Sequence, residues 1–348
     1  MDRVKTAVIG ASGYTGKELL RLLLQHPGVE LTAVTSRQYA GQKVEEVFPR
    51  FRGAEGAQLT FSHPEPGEVA ATGAQVAFLA LPHGVASEYA RALLEKGLRV
   101  LDLSADFRLR DPAIYEEFYG APHPERELLA EAVYGLPEIY PEEIREARLI
   151  ASPGCYPTSI TLPLWPLLRA GLVSPEGIVA NSTSGVSGAG KKASELLLFA
   201  ECNESVRAYG LPKHRHLSEI EQECSRAAGQ GVRLCFHPHL VPINAGICTT
   251  TACAPGESFS GKEQVEEVLA EAYAQAPFVR LLGEGGFPDT KQVVGTNFID
   301  IAWAWDERCQ RLILLSAEDN LGKGAGGQAV QSFNLACGFE ETCGLLHF

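Results

Sequence analysis

The sequence lacks the features of a secreted, disulfide-stapled domain. It has nine cysteines but no CxxC pair, and its 348 residues far exceed the length of such domains. We therefore expect most of the cysteines to be reduced and buried as small hydrophobic side chains. The N-terminal residues show no apolar run with a cleavage site, which predicts a cytoplasmic protein.

Long apolar runs and an excess of basic residues are also missing. The stretch Ile160 to Leu168 is short and is broken by Pro163 and Pro166, so it cannot span a bilayer. The chain has 30 Lys and Arg against 43 Asp and Glu, a net charge of −13, which repels nucleic acid and anionic membrane surfaces. Neither is expected as a partner. An anionic small substrate would require a local cluster of basic side chains.

The first part of the chain has the alternating pattern of a doubly wound α/β domain. An apolar strand, Thr6–Ile9, leads through a glycine-rich turn into a leucine-rich amphipathic helix and a second strand, Val29–Thr35. Further strands are predicted at Gln75–Leu81 and Arg99–Leu103, with a helix at Val85–Glu95 between them. We expect a parallel sheet of the Rossmann type that ends near residue 150.

Beyond residue 150 strand-like segments outnumber helical ones, which predicts an α+β domain with a mixed, largely antiparallel sheet. Helices covering one face of this sheet are predicted at Leu217–Ala228 and Lys262–Gln275. A final helix, Gly322–Cys337, is expected to dock on the first domain. The predicted domains are therefore 1–150 joined by 318–348, and 151–317. The strands are expected at Gly177–Thr183, Arg233–Pro242, Gly246–Ala252, Asn297–Trp305 and Arg311–Ser316.

The glycine-rich turn lies between a strand and a helix, as a dinucleotide phosphate site requires. Glycines let the backbone approach a pyrophosphate, and the helix N-terminus presents N–H groups and a positive dipole end. A tight turn with packing glycines is the alternative reading. The turn consists of Gly10, Ala11, Ser12, Gly13, Tyr14, Thr15 and Gly16.

The end of the second strand predicts which dinucleotide binds. No Asp or Glu stands where a carboxylate would hold the ribose of NAD. Ser36 and Arg37 occupy this region instead, and an arginine pairs bidentately with a 2′-phosphate. The sequence therefore favours NADP as the cofactor.

Cys155 is the cysteine whose surroundings predict reactivity. It follows Ser152-Pro153-Gly154 and precedes an apolar segment in which Pro157 is compatible with the first turn of a helix. A helix N-terminus stabilises a thiolate and supplies donors where an oxyanion forms, and a nucleophile acting on an acyl group needs both.

Two further segments supply groups that such a nucleophile needs. In Lys213-His214-Arg215-His216, either histidine could act as the base, and the neighbouring cations could attract an anion. The segment Ser184 to Lys192 offers hydroxyls, flexible backbone N–H groups and two ammonium groups for an oxyanion or phosphate, without the Walker A spacing. Each segment alone could be an ordinary loop. No metal site is predicted.

Taken together, these segments resemble the N-acetyl-γ-glutamyl-phosphate reductase family of arginine biosynthesis over nearly the whole chain. Any single motif is weak, but their order and spacing are specific. The motifs include Gly10 to Gly16, Leu81-Pro82-His83-Gly84, Asp102-Leu103-Ser104-Ala105-Asp106-Phe107-Arg108, Tyr134-Gly135-Leu136-Pro137-Glu138, Pro153 to Thr158, Ser184 to Gly190, His214-Arg215-His216, Pro238 to Pro242 and Asp319-Asn320-Leu321.

The resemblance implies an NADP-binding Rossmann domain, a second α+β domain carrying catalysis and subunit contacts, and a homodimer or homotetramer. It implies that Cys155 attacks the γ-acyl phosphate and that a thioester is reduced by NADPH to N-acetylglutamate 5-semialdehyde. His214 is the first choice as acid/base, with His216 kept open. Further cofactor contacts are expected at Pro82, Ser184, Gly185 and Asn320, and substrate contacts at Arg108, Ser187, Gly188, Lys191 and His216.

One departure from the family pattern bears on the substrate. Where the family usually has an arginine before Gly246, this chain has Ala245. Another basic group must replace that arginine, or the substrate differs. The alternatives are an aspartyl-phosphate reductase, a lysine-pathway aminoadipyl-phosphate reductase and a non-catalytic NADP-sensing regulator.

Overall fold

A computed structural model describes residues 3–346. The described residues form two compact units, one running up to Pro153 and resuming at Ala325, and the other comprising Gly154–Gly324. The segment 318–324, which the sequence assigned to the first domain, lies in the second unit. No helix within residues 3–346 is long and apolar enough to cross a membrane.

The first unit is built on a six-stranded sheet in which every paired strand is parallel. The strand order is β2-β1-β3-β4-β6-β5, so β1 lies between β2 and β3. The carboxyl ends of β1 and β3 therefore flank the point where the strand order reverses, which is where α/β sheets bind ligands. The strands are β1 (Val4–Ile9), β2 (Val29–Val34), β3 (Val76–Leu79), β4 (Arg99–Asp102), β5 (Val133–Tyr134) and β6 (Leu149–Ala151).

Helices cover this sheet, and its apolar strands are buried beneath them. All four residues of β3 are buried, as expected for a strand covered on both faces. The C-terminal helix Gly327–Ala336 belongs to this unit, and its Phe333 ring lies 5.6 Å from that of Phe78. The other helices are α1 (Tyr14–Leu23), α2 (Val44–Val47), α3 (Pro66–Ala71), α4 (Ala86–Glu95), α5 (Pro112–Tyr119), α6 (Arg126–Glu131) and α7 (Pro141–Glu146).

The second unit contains a seven-stranded mixed sheet, which confirms the predicted fold class. Its order is β11-β12-β13-β10-β7-β9-β8; β11–β12 and β7–β9 are parallel pairs and the other pairs are antiparallel. The strands are β7 (Ile178–Ser184), β8 (Arg207–Ala208), β9 (Leu234–Leu240), β10 (Ile247–Cys253), β11 (Val279–Glu284), β12 (Ile299–Asp306) and β13 (Arg311–Glu318).

Helices pack on one face of this sheet. Alternate residues of β7, starting with Ile178, are buried, while the intervening residues are more exposed. The helix beginning at Cys155 packs against β10 and β13. A π-helical turn, Gly322–Gly326, takes the place of the first part of the predicted final helix. The helices are α8 (Cys155–Arg169), α9 (Phe199–Cys202), α10 (His216–Ala228) and α11 (Glu263–Ala272).

Candidate active site

Cys155 is the first residue of α8, with Gly154 in the extended conformation of an N-cap residue. The amide of Gly154 donates to the carboxylate of Glu219, 3.0 Å away, and Glu219 is completely buried. A Cβ built on Gly324 would lie 2.7 Å from Cβ of Cys155, so the backbone of Gly324 packs directly against the cysteine. The thiol is thus held at the positive end of a helix dipole by close packing.

A cavity of about 280 Å³ opens beside Cys155. This volume is close to the lower end of the roughly 300–1,000 Å³ typical of small-molecule sites. The cavity brings together Cys155, both predicted histidines and the glycine-rich loop after β7, whereas Ser187 and Lys191 are not among its lining residues. It is lined by Cys155, Tyr156, Ser184, Gly185, Gly188, Ala189, Ser194, Leu196, Leu197, Arg207, Tyr209, His214, Arg215, His216 and Leu240.

Two tyrosines form part of the cavity wall and hydrogen-bond to each other. The hydroxyl oxygens of Tyr156 and Tyr209 are 2.7 Å apart. Burial raises the pKa of Tyr209 to about 12, and burial together with Tyr209 and the thiol of Cys155 raises the pKa of Tyr156. Both hydroxyls therefore remain neutral near pH 7 and can serve only as hydrogen-bonding groups there.

His214 lies within a cluster of aromatic rings. Its ring centroid is 5.6 Å from Tyr156, 5.5 Å from Tyr209 and 5.5 Å from Phe236. Burial, followed by the charge of Arg215, lowers the pKa of His214 to about 4. At neutral pH the imidazole is uncharged. Its Nδ1 accepts the backbone N–H of His216 at 3.1 Å, which leaves Nε2 to carry the ring proton.

His216 is the histidine that lies against the backbone beside Cys155. A Cβ built on Gly154 would be 2.6 Å from Nε2 of His216, so only a glycine fits beneath this ring. The two imidazole centroids are 4.9 Å apart. His214 thus contacts His216 through its ring and through the Nδ1 hydrogen bond, while His216 reaches the residue before the thiol.

The loop after β7 is braced by hydrogen bonds to the loop between β9 and β10. The amides of Gly185, Val186 and Ser187 donate to the carbonyls of Gly246, Ile243 and Asn244. Both ends of the Asn320 side chain are engaged here: Oδ1 accepts the N–H of Gly246 at 2.7 Å and Nδ2 donates to Oγ of Ser187 at 2.9 Å.

Ala245 lies at this junction. A Cβ built on Gly185 would lie 2.7 Å from the backbone nitrogen of Ala245. The loop that contains Gly185 and the loop that contains Ala245 are therefore tightly packed against each other. Ala245 stands where the family usually has an arginine, so this position supplies no positive charge.

In the first unit the glycine-rich turn connects β1 to α1, as predicted. Gly10 has a positive φ of 82°, and a Cβ there would lie 2.4 Å from the carbonyl oxygen of Ala80. A Cβ on Gly16 would lie 2.6 Å from Cα of Ala11, whereas the nearest neighbour of one on Gly13 would be 3.9 Å away. The turn therefore needs glycine at its two ends for packing and leaves space beside Gly13 at the N-terminus of α1; the binding of a pyrophosphate there stays a prediction.

The other predicted cofactor residues of the first unit follow neighbouring strands. The hydroxyl of Ser36, after β2, donates to Oγ of Ser12 in the turn at 2.9 Å. Arg37 is exposed, as is Pro82 after β3. Asp106 fixes the loop containing Pro82 by accepting the N–H groups of Gly84 and Ser87 at 2.7 and 3.1 Å.

Arg108, predicted as a substrate contact, is buried within the first unit. Its guanidinium donates to the carbonyl of Leu103 at 2.9 Å. Burial and the nearby Asp106 raise the pKa of Asp102 to about 7, and the charge of Arg108 opposes this rise. These contacts give Arg108 a place in the buried polar network of its own unit, and its contact with substrate stays a prediction.

Sequence reasoning singled out neither Arg207 nor Glu219. Glu219 and Glu223 lie on the same stripe of α10 as His216, and both carboxylates are buried. Acidic residues at helical spacing among apolar positions were a signal that could have identified Glu219. Arg207 lies on a two-residue edge strand, too short for any periodicity to reveal.

Comparison with known proteins agrees with this architecture. Family models described as "Semialdehyde dehydrogenase, NAD binding domain" and "Semialdehyde dehydrogenase, dimerisation domain" match residues 5–147 and 155–320. Aspartate semialdehyde dehydrogenase II of Vibrio cholerae, solved in complex with ASA, superposes with a TM-score of 0.72 at 17% identity, covering 97% of this chain and 99% of that one. Aspartate semialdehyde dehydrogenase with NADP from Candida albicans superposes with a TM-score of 0.69 at 15% identity, covering 96% of this chain and 98% of that one. These structures share the fold.

Sequence relatives are much closer. The N-acetyl-gamma-glutamyl-phosphate reductase of Akkermansia muciniphila is 64% identical over 345 residues, 99% of each chain. The protein of the same name from Moorella thermoacetica is 49% identical over 98% of each chain. Given these full-length identities, this chain belongs to the N-acetyl-γ-glutamyl-phosphate reductase family.

Proposed function

We propose that this chain catalyses the NADPH-dependent reduction of N-acetyl-L-glutamyl 5-phosphate to N-acetyl-L-glutamate 5-semialdehyde and phosphate, a step of arginine biosynthesis. The observation that carries the proposal is the position of Cys155. It is the first residue of α8 and lines a cavity that two histidines and a glycine-rich loop also line. This is the set of groups that acyl transfer to a thiol requires.

The cofactor is NADP. The turn Gly10–Gly16 and the N-terminus of α1 are proposed to hold its pyrophosphate, and Arg37, aided by Ser36, its 2′-phosphate. Pro82 follows β3 at the neighbouring strand end. Ser184, Gly185 and Asn320 remain predicted cofactor contacts, and Asn320 also braces the loop that contains the other two. When bound, NADPH supplies the hydride.

The first chemical step forms a thioester. The sulfur of Cys155 attacks the γ-acyl carbon as the thiol proton passes to a histidine, and the carbon–oxygen bond to phosphate breaks. The N-terminus of α8 faces the oxyanion that forms transiently. Gly188 and the Ser184–Lys192 loop are proposed to receive the phosphate, with Ser187 and Lys191 as further contacts.

The second step releases the aldehyde. After hydride addition to the thioester carbon, the negative oxygen of the thiohemiacetal is stabilised at the same helix N-terminus. Its collapse restores the carbonyl and breaks the carbon–sulfur bond, and the protonated histidine returns its proton to the departing thiolate. Cys155 thereby returns to its starting state.

We assign the acid/base role to His216 and a positioning role to His214, which reverses the first choice made from sequence. His216 lies against Gly154, the residue before Cys155, whereas His214 is surrounded by aromatic rings and accepts the amide of His216. The low pKa of His214, about 4, also makes its imidazole a weak base at neutral pH.

An assay in the reverse direction tests the function. Wild-type protein mixed with N-acetylglutamate semialdehyde, NADP and phosphate should produce NADPH, detected by absorbance, faster than with aspartate semialdehyde or the aminoadipate analogue. Cys155→Ala should reduce kcat by at least about 10³-fold because the covalent route is lost. The exposed Cys235 on β9 provides the matched control, and Cys235→Ala should keep full activity.

Retention of NADP binding by Cys155→Ala, measured by fluorescence titration, would show that the variant is folded. If folded wild-type protein formed no NADPH from N-acetylglutamate semialdehyde, the proposed function would be wrong. If Cys155→Ala remained active, the function would stand and the thiol mechanism would fail. We further propose a cytoplasmic homo-oligomer, a dimer or tetramer, in line with the dimerisation domain that residues 155–320 match.

A further inference from the structure

The reaction accounts for one end of the substrate, whereas the other end carries a second anion. N-acetylglutamyl phosphate has its acyl phosphate at one end of the carbon chain and an α-carboxylate at the other. When the acyl carbon is at Cys155, the α-carboxylate lies elsewhere in the same cavity. A buried or half-buried carboxylate needs a charged hydrogen-bond donor, and the protein as a whole carries a charge of −13.

Arg207 is the cation of the cavity wall that is not committed to other groups. Two guanidinium groups, those of Arg207 and Arg215, line the cavity. Arg215 acts on His214 and Tyr209, since its charge lowers the pKa of His214 and opposes the rise of the pKa of Tyr209. Within the described part of the chain, the guanidinium of Arg207 forms no ion pair or hydrogen bond.

The strand register directs Arg207 into the cavity. Arg207 is on β8 and pairs with Leu240 of β9 in antiparallel register. Directly opposed residues of an antiparallel pair project to the same face of the sheet, and Leu240 lines the cavity. Arg207 lines it too, so the side chains of Arg207 and Leu240 both lie on the cavity side of the sheet, the arginine beside an apolar neighbour.

The surroundings of Arg207 fit the non-reacting end of an N-acyl amino acid. Leu196, Leu197 and Leu240 provide an apolar wall, and the Tyr156–Tyr209 hydroxyl pair provides neutral donors and acceptors. If the α-carboxylate bound at Arg207, the neighbouring N-acyl group of the substrate would contact this apolar wall. The phosphate end would lie toward the glycine-rich loop and the helix N-terminus.

We infer that Arg207 binds the α-carboxylate of the substrate and makes the enzyme selective for N-acyl amino acids with a free α-carboxylate. The inference rests on the proposed function. It also identifies a basic group that meets the need left by Ala245. Arg207 is exposed, so its side chain contributes little to the packed core and is accessible to a ligand.

The test compares the two substrates of the reverse reaction separately. Arg207→Ala should raise KM for N-acetylglutamate semialdehyde by roughly 10- to 100-fold, as expected for loss of a charge-assisted pair, while KM for phosphate and kcat change little. The KM of Arg207→Lys for this aldehyde should lie between those of wild type and Arg207→Ala, because an ammonium keeps the charge but not the bidentate geometry. Arg233, largely exposed beside the other end of β9, is the matched control.

A second substrate sharpens the test. Wild type should use the α-carboxamide of N-acetylglutamate semialdehyde much less efficiently than the α-carboxylate, and Arg207→Ala should lose this preference. The inference would be overturned if Arg207→Ala had an unchanged KM for N-acetylglutamate semialdehyde or changed only KM for phosphate. It would also be overturned if Arg207→Ala lost the same fraction of kcat/KM with the carboxylate and the carboxamide aldehydes. Each of these outcomes requires an active wild type, whereas a wild type inactive on N-acetylglutamate semialdehyde would contradict the proposed function instead.

Discussion

The glycine-rich turn of the first unit and the cavity beside Cys155 in the second are built by different means. The turn Gly10–Gly16 depends on its backbone conformation. Gly10 has a positive φ, and close backbone approaches at Gly10 and Gly16 leave no room for a side chain at either of these two positions. The cavity is lined by residues from α8, the end of β7 and the segment between it and α9, β8 and the segment that leads into α10, and β9. The first site is one continuous segment, and the second is assembled from segments distant in sequence.

Because of this difference, the two sites are sensitive to different kinds of substitution. A site made by backbone geometry is damaged by adding a methyl group, whereas a site made by side chains is damaged by removing a functional group. Both sites still share one feature, the N-terminus of a helix (α1 in the first unit and α8 in the second), where the positive end of the dipole favours an anion.

The largest effect is expected from His216, the proposed acid/base, which packs against Gly154. His216→Asn should lower kcat by roughly 10²- to 10⁴-fold, the usual contribution of an acid/base group, and His214→Asn should lower it less. Steady-state assays of both variants with N-acetylglutamate semialdehyde provide the measurement. The reverse ranking would return the acid/base role to His214, and so would a wild-type pH profile whose acidic limb follows a pKa of about 4.

An intermediate effect is expected from the two glycines of one turn. Gly16→Ala places a methyl group 2.6 Å from Cα of Ala11 and should lower the free energy of unfolding by about 3 kcal/mol. Gly13→Ala meets its nearest neighbour at 3.9 Å and should keep its stability, while weakening NADP binding about tenfold because the methyl fills space left for the pyrophosphate.

Urea denaturation and NADP titration of both glycine variants measure these two properties. Equal stability losses in the two variants would contradict the packing argument. Unchanged NADP affinity in Gly13→Ala would mean that the space beside Gly13 has no role in cofactor binding.

The smallest effect is expected from the exposed arginine after β2. Arg37→Ala should raise KM for NADP by about tenfold and leave KM for NAD nearly unchanged, because only NADP carries a 2′-phosphate. Arg52, exposed in the same unit, is the control. Similar losses with both dinucleotides would show that Arg37 does not distinguish them, and the turn would then account for cofactor binding without a side-chain contribution.

Prediction from sequence succeeded where a local pattern carried the information. The parallel strands around β1 and β3 and the helix starting at Cys155 follow from apolar runs, glycine spacing and the position of Pro157. The short elements β5 and β8 were not predicted, since two residues cannot show a period. β11 was missed as well, a strand whose last residues run into the glycines at 283, 285 and 286.

The amino-acid sequence alone predicts the fold class, the glycine-rich turn between β1 and α1 and the helix that begins at Cys155, because each depends on neighbours within a few residues. The packing of His216 against Gly154, the residue before Cys155, is visible only in the folded protein, because the two residues belong to segments far apart in sequence. The tertiary structure also placed Arg207 in the cavity wall, because cross-strand pairing with Leu240 determines where that side chain points. Contacts between distant segments carry no local signature, and the chemistry of the substrate end depends on them.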